Sequence, residues 1–296
     1  MKGYISPILV FLAAVFWGIS GFFVRELGSL GFSTFEIVFL RMLIACIFIT
    51  TLFAIIKKDA FKIKLKDLWC FFGTGAVGSL GCSLCYFTTM KNASLSTACI
   101  LMYTSPIFVV TLSFFLFKER LTFLKVGGLI LAFIGCILCS YEKGGFVLSL
   151  PTFIVGVGSG LCYGSYSIFS RYAINKGYST DTILIYTFIF AFLGSCVFTP
   201  YDLFISHIPN LLNATPYLLG LGFLATAVPY TLYTAGLKNM ENGKASIIAC
   251  MEIVASIVVG LIAYQEIPSY IKIIGIIIVF ASVFLLNFKP HKHDAL

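Results

Sequence analysis

The sequence predicts an all-α integral membrane protein of ten transmembrane helices, arranged as two inverted five-helix repeats, 1–148 and 149–296. Three observations carry this. Of 296 residues, 59% are apolar and 11% charged, with mean hydropathy +1.02, where a soluble domain of this size carries about a quarter charged residues. The apolar residues fall into runs of about 20, the length that crosses a bilayer as a helix. These runs show no strand-like alternation, which excludes a β-barrel. Finally, short signatures of the first half return in the second at a nearly constant offset.

The first run, near 4–24, follows Lys2 and is too long for a cleaved signal peptide. The second, 34–56, starts after Gly31-Phe32-Ser33 and stops at Lys57-Lys58. The third, 67–89, follows the basic stretch Lys62 to Lys66. Only Lys91 and the turn formers Asn92, Ser94 and Ser96 separate it from the fourth, 94–117, which ends at Lys118-Glu119-Arg120. Runs at 123–141, 152–174, 181–200, 214–237, 245–264 and 270–288 complete the count.

Net charge is +8, but the cations cluster at span ends, a pattern of membrane orientation and not of nucleic-acid binding. With the N-terminus cytoplasmic, fifteen Lys and Arg fall on the inner side and four (Arg25, Lys91, Lys143, Lys272) on the outer, so both termini are expected in the cytoplasm of a cell-membrane protein. The ten cysteines lie in apolar stretches and read as small packing residues. His207, His291 and His293 fall in loops or the tail, and no metal or cofactor motif is present.

The repeat is specific. Trp17-Gly18-x6-Arg25 returns as Tyr163-Gly164-x6-Arg171, and Gly31-Phe32-Ser33-Thr34 as Gly177-Tyr178-Ser179-Thr180, both displaced by 146 residues. At a displacement of 147, Tyr86 meets Tyr233, Lys91-Asn92 meets Lys238-Asn239, Glu119 meets Glu266 and Gly128 meets Gly275. Five spans per half is odd, so the halves must be inverted, an arrangement that puts a binding site near the midplane between them.

Matched charges serve the shared scaffold in this reading: Arg25 with Glu266 would close the outer face and Arg171 with Glu119 the inner one. Separate helix-end charges snorkelling to water are the alternative. Unmatched charges are candidates for substrate chemistry. Arg41 aligns with Thr187 and Glu252 with Ser105, and both sit well inside spans, where an ionisable group needs a wet cavity or a partner. Glu252 would bind a substrate cation or a coupling proton, or be a structural carboxyl. Arg41 would hold a substrate carboxylate, or pair with Glu36 or water near the outer end of span 2. Trp17, Tyr86, Tyr103, Tyr163 and Tyr230 would supply aromatic cavity walls. Gly156, Gly160 and Gly164 form a close-packing stripe, and Pro106 and Pro229 interrupt spans 4 and 8.

With Trp17-Gly18, Arg41, Thr104-Ser105-Pro106, Lys118-Glu119-Arg120-Leu121-Thr122, and Glu252 with Gln265-Glu266, the whole chain resembles the EamA family of the drug/metabolite transporter superfamily. One departure is Ile253, where the family often has proline, which puts a helix bend there in question. The resemblance implies a secondary transporter of a small metabolite, often an amino acid and frequently moved outward. An integral membrane enzyme would need a histidine pair, an aspartate cluster or a phosphate loop, and the sequence has none. A passive channel is the other alternative. The expected partners are a small-molecule substrate and the lipid bilayer. The oligomeric state is not fixed, and a homodimer through glycine-bearing faces stays open.

Overall fold

The computed structural model describes residues 2–93, 95–141, 149–201, 205 and 211–287, the side chains of 2–4, 95, 96 and 287 excepted; Lys143 and the three histidines lie outside them. The described residues form helices and connecting loops, with no strand among them. Eight helices are long and apolar enough to cross a membrane: α1 (Ile5–Ser29), α2 (Thr34–Ile56), α3 (Leu65–Asn92), α4 (Thr97–Phe117), α6 (Leu150–Asn175), α7 (Thr180–Phe198), α8 (Leu211–Leu237) and α9 (Asn242–Tyr264). Two further apolar helices, α5 (Phe123–Cys139) and α10 (Tyr270–Leu286), are shorter. The ten expected runs therefore appear as eight full-length helices and two short ones among the described residues.

Local chemistry explains where the helices begin and end. Ser33 opens α2 with a capping box: its hydroxyl accepts from Glu36 N (3.4 Å), and Glu36 Oε2 accepts from Ser33 N (2.7 Å). Ser179 caps α7 through Thr182 N (3.2 Å), Thr122 caps α5 through Lys125 N (3.2 Å), and Ser269 accepts from Lys272 N (3.4 Å) before α10. Gly31 (φ 92°) and Gly177 (φ 87°) turn the chain into α2 and α7. Lys118 (φ 54°) and Gln265 (φ 56°) end α4 and α9 in the left-handed conformation. Each of these devices has its counterpart at the offset seen in the sequence.

Several spans are interrupted. α1 turns at Ile19, α4 at Tyr103–Thr104 and α9 at Cys250, while α3 and α8 widen into π-helical stretches at Gly73–Gly81 and Gly220–Ala227. Pro106 and Pro229 each follow an interruption, in the first turn of the helix that resumes, where the missing N–H costs least. α9 breaks at Cys250 even though Ile253 replaces the proline that the resemblance leads one to expect.

Glycines set how closely the helices approach. The stripe Gly156, Gly160 and Gly164 of α6 lies against Leu101, Thr104 and Val109 of α4, and Gly18 of α1 lies against the α9 backbone at Glu252. α5 and α10 pack on each other through Gly135 against Val279 and Gly275 against Cys139. Large apolar side chains such as Phe123, Ile277 and Phe284 point outward, as a lipid-facing surface requires.

A methyl group at Gly160 would stand 2.9 Å from the Leu101 carbonyl and 3.0 Å from that of Met102, whereas one at Gly28 meets nothing within 4 Å. Gly160→Ala is therefore expected to lower stability by about 1–3 kcal/mol, and Gly28→Ala to leave it unchanged or slightly raised. Thermal unfolding of the detergent-solubilised variants measures both.

Candidate functional site

A cavity of about 550 Å³ runs between the helices from an aromatic floor to the exposed ends of α1 and α9. Trp17 is the centre of the floor. Its indole meets Tyr163, Tyr230 and Tyr233 at centroid distances of 6.1, 5.3 and 5.2 Å. Gly18, next to Trp17, lets the backbones of α1 and α9 touch at Glu252.

Both charges from mid-span face this cavity. Glu252 Oε2 accepts from the Tyr163 hydroxyl at 3.0 Å. Arg41 Nη2 donates to Ser83 Oγ at 3.0 Å, and Ser83 in turn donates to the Ser79 carbonyl at 3.0 Å. The Tyr230 hydroxyl donates to Ser79 Oγ at 3.2 Å, tying the floor to the arginine wall. Arg41 Nε is buried without a partner, while Glu36 is engaged in the α2 capping box. The lining thus offers a carboxylate, an incompletely bonded guanidinium and aromatic faces, a set that can hold a small molecule with a polar head and an apolar body.

Of the residues singled out in the sequence, Trp17, Arg41, Tyr86, Tyr163, Tyr230 and Glu252 all line the cavity. Tyr103 does not. It lies at the break of α4, 4% exposed, packed among Ala14, Val110, Ile247 and Met251. The turn there directs its ring into the helix packing.

The two expected pairs of charges differ. Arg25 Nη1 and Glu266 Oε1 meet at 2.6 Å at the cavity mouth, with more than half of each side chain exposed. Arg25 also lies 3.9 Å from the Tyr264 ring centre. Arg171 and Glu119, in contrast, do not meet directly; they hold Asn242 from two sides. Arg171 Nε donates to Asn242 Oδ1 (3.0 Å) and its Nη2 to the Met240 carbonyl. Glu119 accepts from the backbone N–H groups of Asn242 (2.8 Å) and Gly243 (3.3 Å), which places a carboxylate on the N-terminus of α9. Lys125, only 1% exposed, bridges Glu119 (3.5 Å) and Glu241 (3.0 Å).

Between this seal and the floor, hydroxyls close the path. Ser167 meets Tyr233 at 2.8 Å, Tyr166 meets Thr234 at 2.5 Å, and Asn242 Nδ2 donates to the Ser167 carbonyl at 3.2 Å. The loops beside the seal are pinned by Lys176, which donates to Asp67 at 2.6 Å. That hydrogen bond raises the Lys176 ammonium above its usual value.

Asn242, Lys125, Ser83 and Ser167 were not visible as site residues in the sequence. Asn242 and Lys125 look there like loop polar residues beside span ends, and a serine within a span carries no charge to mark it. Asn242→Ala removes its bonds to Arg171 and Ser167 together and should lower stability by about 1–3 kcal/mol. Glu266→Gln, which alters only an exposed pair, should change it little; thermal unfolding compares the two.

Residues 5–141 and, separately, residues 150–288 match the model of the EamA-like transporter family. An uncharacterized transporter of Archaeoglobus fulgidus is 27% identical over 276 residues, which is 93% of this chain and 94% of that protein. A second transporter from the same organism is 28% identical, over 88% of this chain and 90% of its own. The uncharacterized transporter YdfC of Bacillus subtilis is 23% identical, over 90% and 85%. A solved structure, described only as the crystal structure of a protein, superposes with a TM-score of 0.78 at 17% identity, covering 95% of this chain and 96% of that one, a likeness of fold alone.

Proposed function

The chain belongs to the EamA-like transporter family and is a multi-pass membrane transporter; on that premise we propose that it is a secondary carrier of a small metabolite of the amino acid class, exporting it across the cytoplasmic membrane by alternating access. The observation that carries this reading is the cavity itself. It holds both mid-span charges, reaches the exposed Arg25–Glu266 end, and stops at Trp17 above a bonded seal.

In this reading all ten apolar helices cross the membrane as two inverted repeats, 1–148 and 149–296, with both termini cytoplasmic. The recurrence of helix caps, left-handed ends and π stretches at the offsets of 146 and 147 residues supports the repeat. The cavity then opens outward, and the Arg171–Asn242–Glu119 cluster is the closed inner gate. Arg25 and Glu266 are the outer gate in its open position. A channel would need a path through both ends at once, whereas the hydroxyl contacts below Trp17 leave a void of only about 10 Å³ there.

Glu252 takes the substrate ammonium, with a coupling proton as the alternative cation, and Arg41 takes the carboxylate through its free donors. Trp17, Tyr86, Tyr163 and Tyr230 contact the apolar body. Proteoliposome counterflow with a panel of amino acids, amines and small aromatic cations tests this. The expected result is saturable exchange of one class, reduced about tenfold or more in Glu252→Gln and in Arg41→Ala, the effect of losing one charge-assisted contact. Exchange that neither variant alters would remove both residues from the site, and flux that never saturates would point to a channel.

A further inference from the structure

Tyr163, Ser167 and Arg171 lie one turn apart on a single face of α6, and each bonds toward α9 or the segment leading into it. Tyr163 donates to Glu252 Oε2 (3.0 Å). The Ser167 carbonyl accepts from Asn242 Nδ2 (3.2 Å), and its hydroxyl meets Tyr233 (2.8 Å). Arg171 holds the Asn242 side chain and the Met240 carbonyl. Glu252 and Asn242 stand on either side of the α9 break at Cys250. A ladder of polar contacts therefore starts at the cavity carboxylate and ends in the seal.

We propose that Tyr163 is the positioning residue through which occupancy of Glu252 reaches the inner seal. The inference rests on the reading above, in which a substrate ammonium is held by Glu252. That ammonium competes with the Tyr163 hydroxyl for the same carboxylate oxygen. When the hydroxyl loses its charged acceptor, the rung nearest the cavity opens. The rungs below share one helix and one side chain, Asn242, so loss of the first weakens the others. The matching face of α1 carries Trp17, Gly21 and Arg25, and a Cβ at Gly21 would meet nothing within 4 Å. No middle rung exists on that face, so the coupling runs to the inner seal and not to the mouth.

The test uses the full chain without added substrate and reads maleimide labelling residue by residue by mass spectrometry. Native Cys99 on the cavity wall reports the outer side. A Ser246→Cys reporter, at the small void beneath Trp17, reports the inner side. In Tyr163→Phe, which keeps the ring, inner labelling should rise about tenfold, the shift expected from one lost charge-assisted hydrogen bond, while Cys99 labelling falls. Glu252→Gln keeps a neutral acceptor and should give a smaller change in the same direction, and the double variant should match Tyr163→Phe alone. Unchanged inner labelling, a rise at both reporters, or effects that multiply in the double variant would overturn the coupling. Because no substrate is present, such a result strikes the coupling alone and leaves the carrier reading to the counterflow measurement.

Discussion

Within a bilayer an unpartnered polar group costs several kcal/mol, and the organisation of this protein follows from that constraint. Hydroxyls inside the spans bond back to carbonyls of their own helix, as Thr50, Thr89 and Thr231 do. The starts of α2, α5, α6 and α7 carry Ser or Thr caps. Where α9 begins, the orphan N–H groups of Asn242 and Gly243 are met by a carboxylate from the loop between α4 and α5, Glu119. That carboxylate in turn requires Lys125, and Asn242 requires Arg171. One helix start thus recruits a network that joins several helices at one face of the bundle. Removing the Lys125 ammonium would leave the largely buried Glu119 carboxylate without its ion-pair partner, a loss of about 3–5 kcal/mol in comparable cases.

The same constraint makes the cavity meaningful. Arg41 and Glu252 are mid-span charges with no charged counterpart at the matching positions, where Thr187 and Ser105 are buried in packing. Thr187 bonds to Thr74 at 2.7 Å. In the proposed two-repeat reading the shared scaffold supplies the helix breaks and close approaches, while Arg41 and Glu252 give the cavity its polarity. The two ends differ in the same way. Serine at position 167 ties α6 to its neighbours, whereas glycine at 21 leaves α1 untied at the matching level. The exposed Arg25–Glu266 pair is weakly held by comparison, since water screens it.

Much of this was legible in the sequence because it depends on residue type at a fixed spacing. Apolar runs located the helices, and Ser33, Thr122 and Ser179 mark helix starts by their chemistry. The Trp17 and Tyr163 correspondence pointed to the cavity floor, and the unmatched charges to its walls. What stayed hidden depends on partners far apart in sequence. Lys125 reads as a cytoplasmic cation until Glu119 and Glu241 are seen to enclose it. Arg171 and Glu119 were expected to pair because each matches a member of the other gate, yet a third residue, Asn242, stands between them. Tyr103 has the right composition for a cavity wall, but the break in α4 turns it into the packing.

The central claim is that one cavity is exposed alternately at two ends, and the most direct test is a pair of distances measured in the same preparation. Spin labels at Gly28 and Ile267 report the mouth, and labels at Asn175 and Lys238 report the opposite end. On adding the compound that exchanges in counterflow, the first distance should shorten while the second lengthens, in the same fraction of molecules. Distances that do not change, or ends that open together, would contradict the account.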